Sequence, residues 1–309
     1  MISREACPIT QEKDLVVALD MPYHSGVLGE WSRESHHEEL LRGCNFTILH
    51  NRRIDFYFQR WVFDLQVEIA RRKGLAGPLP TWDAEGKPST LASLSHKAED
   101  AMLIRLLCEK PRPRVLDYGM ATGEWALMAK AYGCESWGTD IDPRSPQLAK
   151  ANGLRFAEED GLPDQYFDFI NADQVFEHLP SPRETLGLLQ KKLAPGGFLK
   201  ISTPGDRRMG QKIQRLKKGL YTLALFRRDF FPLSPLCHTN LFSAKALKAL
   251  AQTAGLEPYR LSLRQAYAVM TDFHTLRQFN RNLHNPWKRC RSHYQTWQFF
   301  RKSPGEEKV

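Results

Sequence analysis

The chain has 309 residues, of which 42% are hydrophobic and 26% are charged, and its formal net charge is +9. These proportions are typical of a globular protein, and no stretch approaches the roughly 18 consecutive apolar residues of a membrane-spanning helix. The first residues lack the apolar run of a secretion signal, and six cysteines are too few for a disulfide scaffold. Composition therefore predicts a cytoplasmic protein with reduced thiols.

Residues 1–92 form a predicted N-terminal extension. The apolar run Leu15–Leu19 predicts a strand. Farther along, apolar residues recur at steps of three and four, which predicts an amphipathic helix over residues 54–69; they are Ile54, Phe58, Trp61, Leu65 and Ile69. Glycines and prolines between residues 74 and 80 end this helix.

Beyond residue 93 the pattern predicts alternating strands and helices, which begin with a helix over 95–108. The predicted strands are 114–118, 136–139, 154–157, 167–172 and 197–203, and the predicted helices are 124–131, 183–193 and 243–254. Buried strands joined by helices are typical of a parallel sheet with helices on both faces. Right-handed crossovers then predict a Rossmann-like, doubly wound α/β fold, in which ligands bind at the carboxyl ends of the strands.

One segment combines a strand, a glycine turn and the start of a helix. Gly119 and Gly123 allow the backbone to turn sharply and to approach a ligand closely. The spacing Gly119-x-Ala121-x-Gly123 differs from the G-x-G-x-x-G of dinucleotide-binding domains. Acidic residues stand at Asp117, before the turn, and at Asp140, which follows the next predicted strand.

These motifs resemble those of class I S-adenosylmethionine (SAM) dependent methyltransferases, whose first motif reads acid-x-G-x-G-x-G. Ala121 replaces the middle glycine here. The resemblance implies a SAM-binding core over residues 93–265, in which Asp117 and Gly119 hold the amino-acid end of the cofactor. It also implies that Asp140 binds both ribose hydroxyls, and a carboxylate can accept two hydrogen bonds from such a diol. The other implied cofactor residues are Ala121, Gly123, Ile141, Glu158, Glu159, Asp173 and Gln174.

Two histidines are candidates for a catalytic base. The sulfonium of SAM is already activated, so the enzyme mainly has to position a nucleophile, and a base is needed only if the acceptor must lose a proton. His178 follows the fourth predicted strand, and His238 lies in a His-x-Asn-x-Phe stretch that relatives place beside the acceptor. Our hypothesis is that one of them, with His238 favoured, faces the acceptor. The alternative is that His178 only caps and packs its helix.

A metal site is not predicted from the sequence. Some O-methyltransferases bind a divalent metal through an E-x-x-E-H motif, but this chain has Gln174-x-x-Glu177-His178. An amide is a poorer ligand than a carboxylate. The sequences Cys7-x-x-Thr10 and Cys44-x-x-Thr47 also look like the knuckles of an N-terminal zinc ribbon found in several sugar-modifying methyltransferases. Because zinc needs four good ligands, we interpret them as a degenerate ribbon without metal or as two unrelated cysteines.

Basic residues are concentrated in two segments that contain no acid, residues 207–228 and 274–302. The first segment lies in a predicted insert at about 205–237, and the spacing of its apolar residues predicts a basic amphipathic helix. This helix could be a phosphate-gathering lid, a membrane-surface helix or a cover for the core. The second, within a C-terminal segment 266–309, interleaves cations and aromatic residues as in binders of single-stranded nucleic acid, although such aromatics more often form core.

The predicted function is methyl transfer from SAM to oxygen, nitrogen or carbon of a small-molecule or glycan-precursor acceptor that carries negative charge. The first alternative is an RNA methyltransferase. It is disfavoured because Asp173-Gln174-Val175-Phe176 occupies the position of an Asn-Pro-Pro-Tyr base-flipping motif. The second is a non-catalytic partner protein with the same fold, which the intact cofactor motifs disfavour. Nucleic acid is not the favoured partner, and peripheral contact with a membrane stays open.

Overall fold

The computed structural model describes residues 2–62, 91–269 and 297–304. Its strands are β1 Ile2–Ser3, β2 Val16–Pro22, β3 Asn45–Asn51, β4 Phe56–Gln59, β5 Trp61–Val62, β6 Arg114–Tyr118, β7 Glu135–Thr139, β8 Arg155–Phe156, β9 Phe167–Asp173, β10 Leu193–Ser202, β11 Asn240–Phe242, β12 Leu256–Tyr259 and β13 Trp297–Lys302. Its α-helices are α1 Gly26–Glu34, α2 Leu91–Cys108, α3 Glu124–Ala131, α4 Ser145–Ala151, α5 Pro182–Lys192, α6 Met209–Lys217, α7 Leu223–Asp229, α8 Ala244–Thr253 and α9 Leu263–Ala268. Short 3-10 helices lie at Glu159–Gly161, Phe176–His178 and Phe231–Leu233.

A seven-stranded sheet forms the centre of the molecule, with the order β12-β13-β10-β9-β6-β7-β8. The strands from β10 to β8 in this order are parallel, which confirms the predicted Rossmann-like doubly wound core. The chain adds β7 and β8 on one side of β6 and then returns to add β9 and β10 on the other side. This reversal makes a crevice between the carboxyl ends of β6 and β9, where ligands bind in such sheets.

The sheet also contains a strand from the C-terminal segment that the sequence analysis set apart from the core. Strand β13 lies between β10 and β12 and is antiparallel to both. Phe299 and Phe300 of this strand are buried among core residues, as aromatic side chains in a central strand should be. Trp297 begins this strand, whereas the aromatic residues between 270 and 296 lie outside the described residues.

The predicted helix over residues 54–69 is wrong for its first half, because residues 56–62 form β4 and β5. Ile54, Phe56 and Phe58 are all buried, which is the period of two that a strand produces. Strand β4 gains backbone partners on both sides, from β3 and from β11. This long-range pairing outweighs the three- and four-residue spacing of the apolar residues. Residues 63–69 lie outside the described ranges.

A second sheet joins the N-terminal extension to the chain that follows the insert. It is antiparallel, with the order β11-β4-β3-β2. The insert forms two helices, α6 and α7, and the apolar stripe Met209, Ile213 and Leu216 is buried against Leu19 and Phe46 of this sheet. The stripe therefore covers a core, while the cations beside it are largely exposed. Among the described residues, no helix is long and apolar enough to cross a bilayer.

The two N-terminal cysteines pack in different places. Cys7 is buried in the main apolar cluster, whereas Cys44 packs at the edge of the second cluster, with Phe46. Neither belongs to the group of potential metal ligands that the described residues contain. The five cysteines of the described residues are all free thiols.

Candidate active site

The glycine turn after β6 is held in a backbone conformation that disfavours larger residues. Gly119 has φ of +80° and Gly123 has φ of +78°. A Cβ atom on Gly119 would lie 2.5 Å from Cγ2 of Val175. Because Val175 belongs to the turn after β9, this contact places the two turns directly against each other. The structure thus brings together motifs that are far apart in the sequence, at the crevice of the sheet.

Asp140 is oriented by backbone donors at the end of β7. Its Oδ2 accepts a hydrogen bond of 2.8 Å from the Ala121 N–H, and its Oδ1 accepts one of 2.8 Å from the Asp142 N–H. Each carboxylate oxygen keeps a second lone pair, so the group can still accept from a ribose diol. Beside it, the Ile141 side chain is 40% exposed and offers an apolar surface. Ala121 itself adopts φ of +46°, which costs about 1 kcal/mol for a residue with a Cβ atom.

Asp117 lies buried at the carboxyl end of β6. Its Oδ1 accepts a hydrogen bond of 2.9 Å from Nδ2 of Asn171 on the neighbouring strand β9. Burial raises the pKa of Asp117 to about 7. A buried carboxyl group of this kind is stabilised as an anion when a cation binds beside it, as the ammonium of an amino acid would.

An acidic cleft lies near the glycine turn. The Tyr118 hydroxyl, next to Gly119 in the chain, donates a hydrogen bond of 3.0 Å to Oε1 of Glu159. The cleft has a volume of about 530 Å³ and is lined by Glu158, Glu159, Asp160, Glu184, Thr185 and Leu188. Carboxylate oxygens beside an apolar side chain suit a nucleobase with an exocyclic amino group, because they can accept hydrogen bonds from that group.

Asp173 and Gln174 end β9 on the opposite side of the crevice, and both are exposed. The Ser202 hydroxyl of β10 donates a hydrogen bond to Asp173, and the Gln174 N–H donates one of 2.9 Å to the Ser202 carbonyl oxygen. Gln174 adopts φ of +56°. These contacts fix the turn that faces Gly119.

The two candidate histidines form one cluster, although the chain separates them by 60 positions. Their ring centroids are 4.8 Å apart, and the ring planes are inclined by 71°. Nδ1 of His178 is 3.0 Å from the Cys237 carbonyl oxygen, and Nδ1 of His238 is 2.6 Å from that of Phe231. Because a carbonyl oxygen only accepts, each Nδ1 carries a hydrogen, and in a neutral imidazole Nε2 is then the acceptor nitrogen. Burial lowers the pKa of His238.

A clamp of hydrogen bonds joins the loops that carry these histidines. The Thr239 N–H donates 2.7 Å to the Glu177 carbonyl oxygen. Nδ2 of Asn240 donates to the carbonyl oxygens of Phe176 and Leu179, at 3.0 and 2.7 Å. The loops around His178 and His238 are therefore held together by the backbone and by one buried amide.

The N-terminal segment reinforces this clamp through a buried arginine. The Arg4 guanidinium donates 2.7 Å to Oδ1 of Asn240 and 2.8 Å to the Thr239 carbonyl oxygen. It also donates to the carbonyl oxygen of Gln59 in β4, at 2.9 Å. Burial lowers the pKa of Arg4 to about 9, so the group stays charged at neutral pH.

Comparison with known protein families identifies the domain that carries this crevice. Residues 92–261, more than half of the chain, match the family model described as a methyltransferase domain. The chain belongs to this family. Its core is a SAM-dependent methyltransferase domain of the class I fold, as the motifs predicted.

Among curated proteins, the chain is similar to the demethylmenaquinone methyltransferase of Thermus thermophilus. The two are 37% identical over 110 residues, which is 32% of this chain and 50% of that protein. It is also similar to the ribosomal protein L11 methyltransferase of Burkholderia cenocepacia, with 35% identity over 30% of this chain and 32% of that one. The matched region thus spans half or less of the length of these relatives.

A solved structure, the 1,6-didemethyltoxoflavin-N1-methyltransferase of Burkholderia thailandensis with S-adenosylhomocysteine, aligns over 82% of this chain and 98% of its own. Its sequence identity is 14% and the TM-score is 0.45.

Three further residues with unusual surroundings lie beside the candidate histidines, and none of them was assigned a role from the sequence. Glu177 is fully buried, and neither carboxylate oxygen has a hydrogen-bond partner among the described residues. Burial raises its pKa to about 8. Cys237 is exposed next to His238, with Sγ 3.9 Å from Nδ1 of His178. The Phe231 ring, 58% exposed, lies 4.9 Å from the His238 ring. The sequence signals for them were the positions of Glu177 and Cys237 directly before the candidate histidines His178 and His238. No sequence signal pointed to Phe231.

Proposed function

We propose that the chain transfers the methyl group of SAM to an oxygen, nitrogen or carbon atom of an anionic small molecule or glycan precursor. The observation that carries the proposal is the contact between the Gly119 turn and the turn after β9. That contact joins the cofactor motifs to the loop that ends at His178. A methyl donor held by the first turn would therefore face a surface that the histidine cluster borders.

The cofactor roles follow from the chemistry of each position. Asp117 would be stabilised as an anion by the ammonium of SAM, and Gly119 leaves room for the amino-acid end. Asp140 retains acceptor capacity for the ribose hydroxyls, with Ile141 exposed beside it. Glu158 and Glu159 of the acidic cleft would face the adenine. Ala121, Gly123, Asp173 and Gln174 complete the two turns.

The histidine cluster is the proposed base when the acceptor must lose a proton. In a neutral imidazole Nε2 is the acceptor nitrogen, and the lowered pKa of His238 keeps its ring neutral near pH 7. His178 is the more exposed of the two rings. We favour His238 as the base and His178 as its partner at the rim.

The surroundings of the cluster support a small, anionic acceptor with an apolar part. The exposed Phe231 ring offers an apolar surface beside His238. The insert that carries Phe231 also exposes Arg207, Arg208 and Arg215, which attract negative charge. Phe299 and Phe300 are buried in the sheet and cannot stack on bases, which removes two of the aromatic residues on which the RNA alternative relies. The free thiols of the described cysteines suit a cytoplasmic setting.

The proposal is tested by an acceptor screen in which the release of S-adenosylhomocysteine is measured. The panel contains phosphorylated sugars, nucleotide-linked sugars, a demethylated quinol, total RNA and ribosomal protein. We expect turnover with an anionic small molecule. If its reacting atom carries a proton, His238→Ala should reduce kcat by about 10²–10⁴-fold. His24→Ala, an exposed histidine of the N-terminal segment, is the matched control and should be unaffected.

Turnover with RNA or ribosomal protein alone would contradict the acceptor class. SAM binding without turnover on any acceptor would favour the non-catalytic partner. With an acceptor that must lose a proton, unchanged turnover in His238→Ala would overturn the assignment of His238 as the base. Unchanged turnover in His178→Ala as well would exclude the histidine cluster.

A further inference from the structure

We propose that His178, Cys237 and His238 form a Zn²⁺ site with three protein ligands and an open fourth position. One potential ligand atom from each side chain lies within 4.8 Å of the other two. This site shares His178 with the Gln174-x-x-Glu177-His178 motif, but its other ligands, Cys237 and His238, come from a different loop. The proposal does not rest on the proposed function, since metal binding can be measured without SAM or acceptor.

The donor set suits zinc. Two imidazole nitrogens and one thiolate are ligands that Zn²⁺ prefers, whereas Mg²⁺ requires oxygen. With bonds of about 2.0–2.3 Å in a tetrahedron, ligand atoms stand roughly 3.5 Å apart. The observed cluster therefore needs to contract by about 1 Å, which small rotations of exposed or half-buried side chains can supply.

The two histidines make the kind of hydrogen bond that metal-bound histidines usually make. Metal-bound histidines usually donate their other ring N–H to a carbonyl or carboxylate, which fixes the tautomer and the ring orientation. Here the carbonyl oxygens of Phe231 and Cys237 accept from the two Nδ1 atoms, at 2.6 and 3.0 Å. In the proposed site, each histidine would therefore bind the metal through its Nε2 atom.

The loops that supply the ligands are already fixed relative to each other. Thr239 and Asn240, which follow His238 directly, are hydrogen-bonded to the carbonyl oxygens of residues 176, 177 and 179. Arg4 holds the same two residues from the N-terminal segment. A site supported in this way loses little conformational entropy when the metal binds.

The exposure of the proposed ligands allows solvent to reach the zinc site and its open fourth position. Cys237 is exposed and His178 is half-buried, so solvent reaches the cluster. Three protein ligands and one open position are the arrangement of catalytic zinc sites, in which water or a substrate oxygen completes the tetrahedron. Oxygen bound there becomes a stronger acid, so zinc would replace the histidine base as the means of deprotonating an acceptor.

The test is a metal titration of the untagged full-length protein after removal of metal with a chelator. We expect one Zn²⁺ per chain by calorimetry. Co²⁺ should produce the intense visible bands of tetrahedral coordination and a thiolate-to-cobalt charge-transfer band. Cys237→Ser should abolish the charge-transfer band, and Cys237→Ser and His178→Ala should each weaken zinc binding by more than about tenfold. The matched control is Cys44→Ser, which should bind zinc as the wild type does.

Three results would overturn the site. These are the absence of stoichiometric zinc binding by folded wild-type protein, a charge-transfer band that persists in Cys237→Ser, and loss of zinc in Cys44→Ser but not in Cys237→Ser. Circular dichroism verifies that each variant is folded. Because Cys237 is exposed, its substitution should not disturb the core.

Discussion

Burial of Asp117 destabilises the folded state, and the same side chain has a proposed role in cofactor binding. The carboxyl group is buried, and its pKa is raised from 3.8 to about 7. Between these two pH values the unfolded chain holds an ionised Asp117, whereas the folded chain holds a protonated one. Stability therefore falls as the pH rises through this window, and the full cost is present above pH 7.

We predict that Asp117→Asn stabilises the unliganded protein at pH 8 and has little effect at pH 4. Asparagine carries no charge to bury, so the gain at pH 8 should be on the order of 2–4 kcal/mol. The same variant should bind SAM more weakly, because the ammonium of the cofactor loses its counterion. Urea unfolding at the two pH values, with SAM titration at pH 8, measures both effects.

The matched control is Asp14→Asn, which alters an exposed carboxyl group. It should change neither stability nor SAM affinity appreciably. A destabilised Asp117→Asn protein at pH 8 would show that this carboxylate is stabilised in the apo fold by contacts beyond Asn171.

Among individual residues, the sequence predicts the role of those positions at which backbone geometry restricts the choice of residue. The turn containing Gly119 and Gly123 could be predicted because positive φ favours glycine. Cys237 and Glu177 could not be assigned, because their environment depends on loops 60 positions apart meeting in space. The neighbouring sequence does not predict whether a single acidic side chain is buried or how a single thiol is oriented.

At the scale of elements, Arg4 joins the N-terminal strand region to β4 and β11. Its guanidinium makes hydrogen bonds to backbone and amide oxygens of Gln59, Thr239 and Asn240. Among the described residues it has no carboxylate partner. The planar fork of an arginine is what allows one side chain to reach several acceptors.

We predict that Arg4→Lys lowers the free energy of unfolding by about 2–4 kcal/mol, because lysine leaves buried acceptors unsatisfied. Urea unfolding measures the loss. Arg53→Lys is the control, since Arg53 is exposed and its ion pair with Glu12 should contribute less than about 1 kcal/mol. Equal stability of the Arg4→Lys protein and the wild type would contradict this role.

The core elements were predicted closely, and the N-terminal ones were not. Strands such as β6 and β9 are short segments rich in apolar residues that end at glycine or acidic turns, so the local pattern suffices to predict them. Strand β4 depends on β11, whose residues lie about 180 positions later. Period-two burial at Ile54, Phe56 and Phe58 was the available signal, and the helical spacing of neighbouring apolar residues obscured it.

At the scale of the whole molecule, the central sheet requires the C-terminal strand. Strand β13 supplies backbone partners to β10 and β12, and its Phe299 and Phe300 fill the core. The sequence analysis placed this strand outside the core because basic residues surround it. From the sequence alone, its aromatic residues fit a surface that stacks on nucleic-acid bases as well as they fit a core strand. Only the pairing with β10 and β12 shows that they belong to the core.

We predict that a chain ending at residue 296 does not reach a stable fold. Loss of two buried phenylalanines removes about 3–6 kcal/mol, in addition to the strand hydrogen bonds, from a typical stability of 5–15 kcal/mol. A chain ending at residue 304 retains β13 and should melt as the full chain does. Size-exclusion chromatography and thermal melts compare the two. An unchanged melting temperature without β13 would refute its structural role.

The proposed binding of SAM in the crevice between β6 and β9 can be measured by calorimetric titration. The wild type should bind SAM and S-adenosylhomocysteine at one site per chain. Asp140→Ala should lose at least about tenfold in affinity, because a charged hydrogen bond to the ribose contributes about 1.5–3 kcal/mol. Asp14→Ala should bind as the wild type does. Equal affinity of the Asp140→Ala and wild-type proteins, or no binding by folded wild type, would contradict the account.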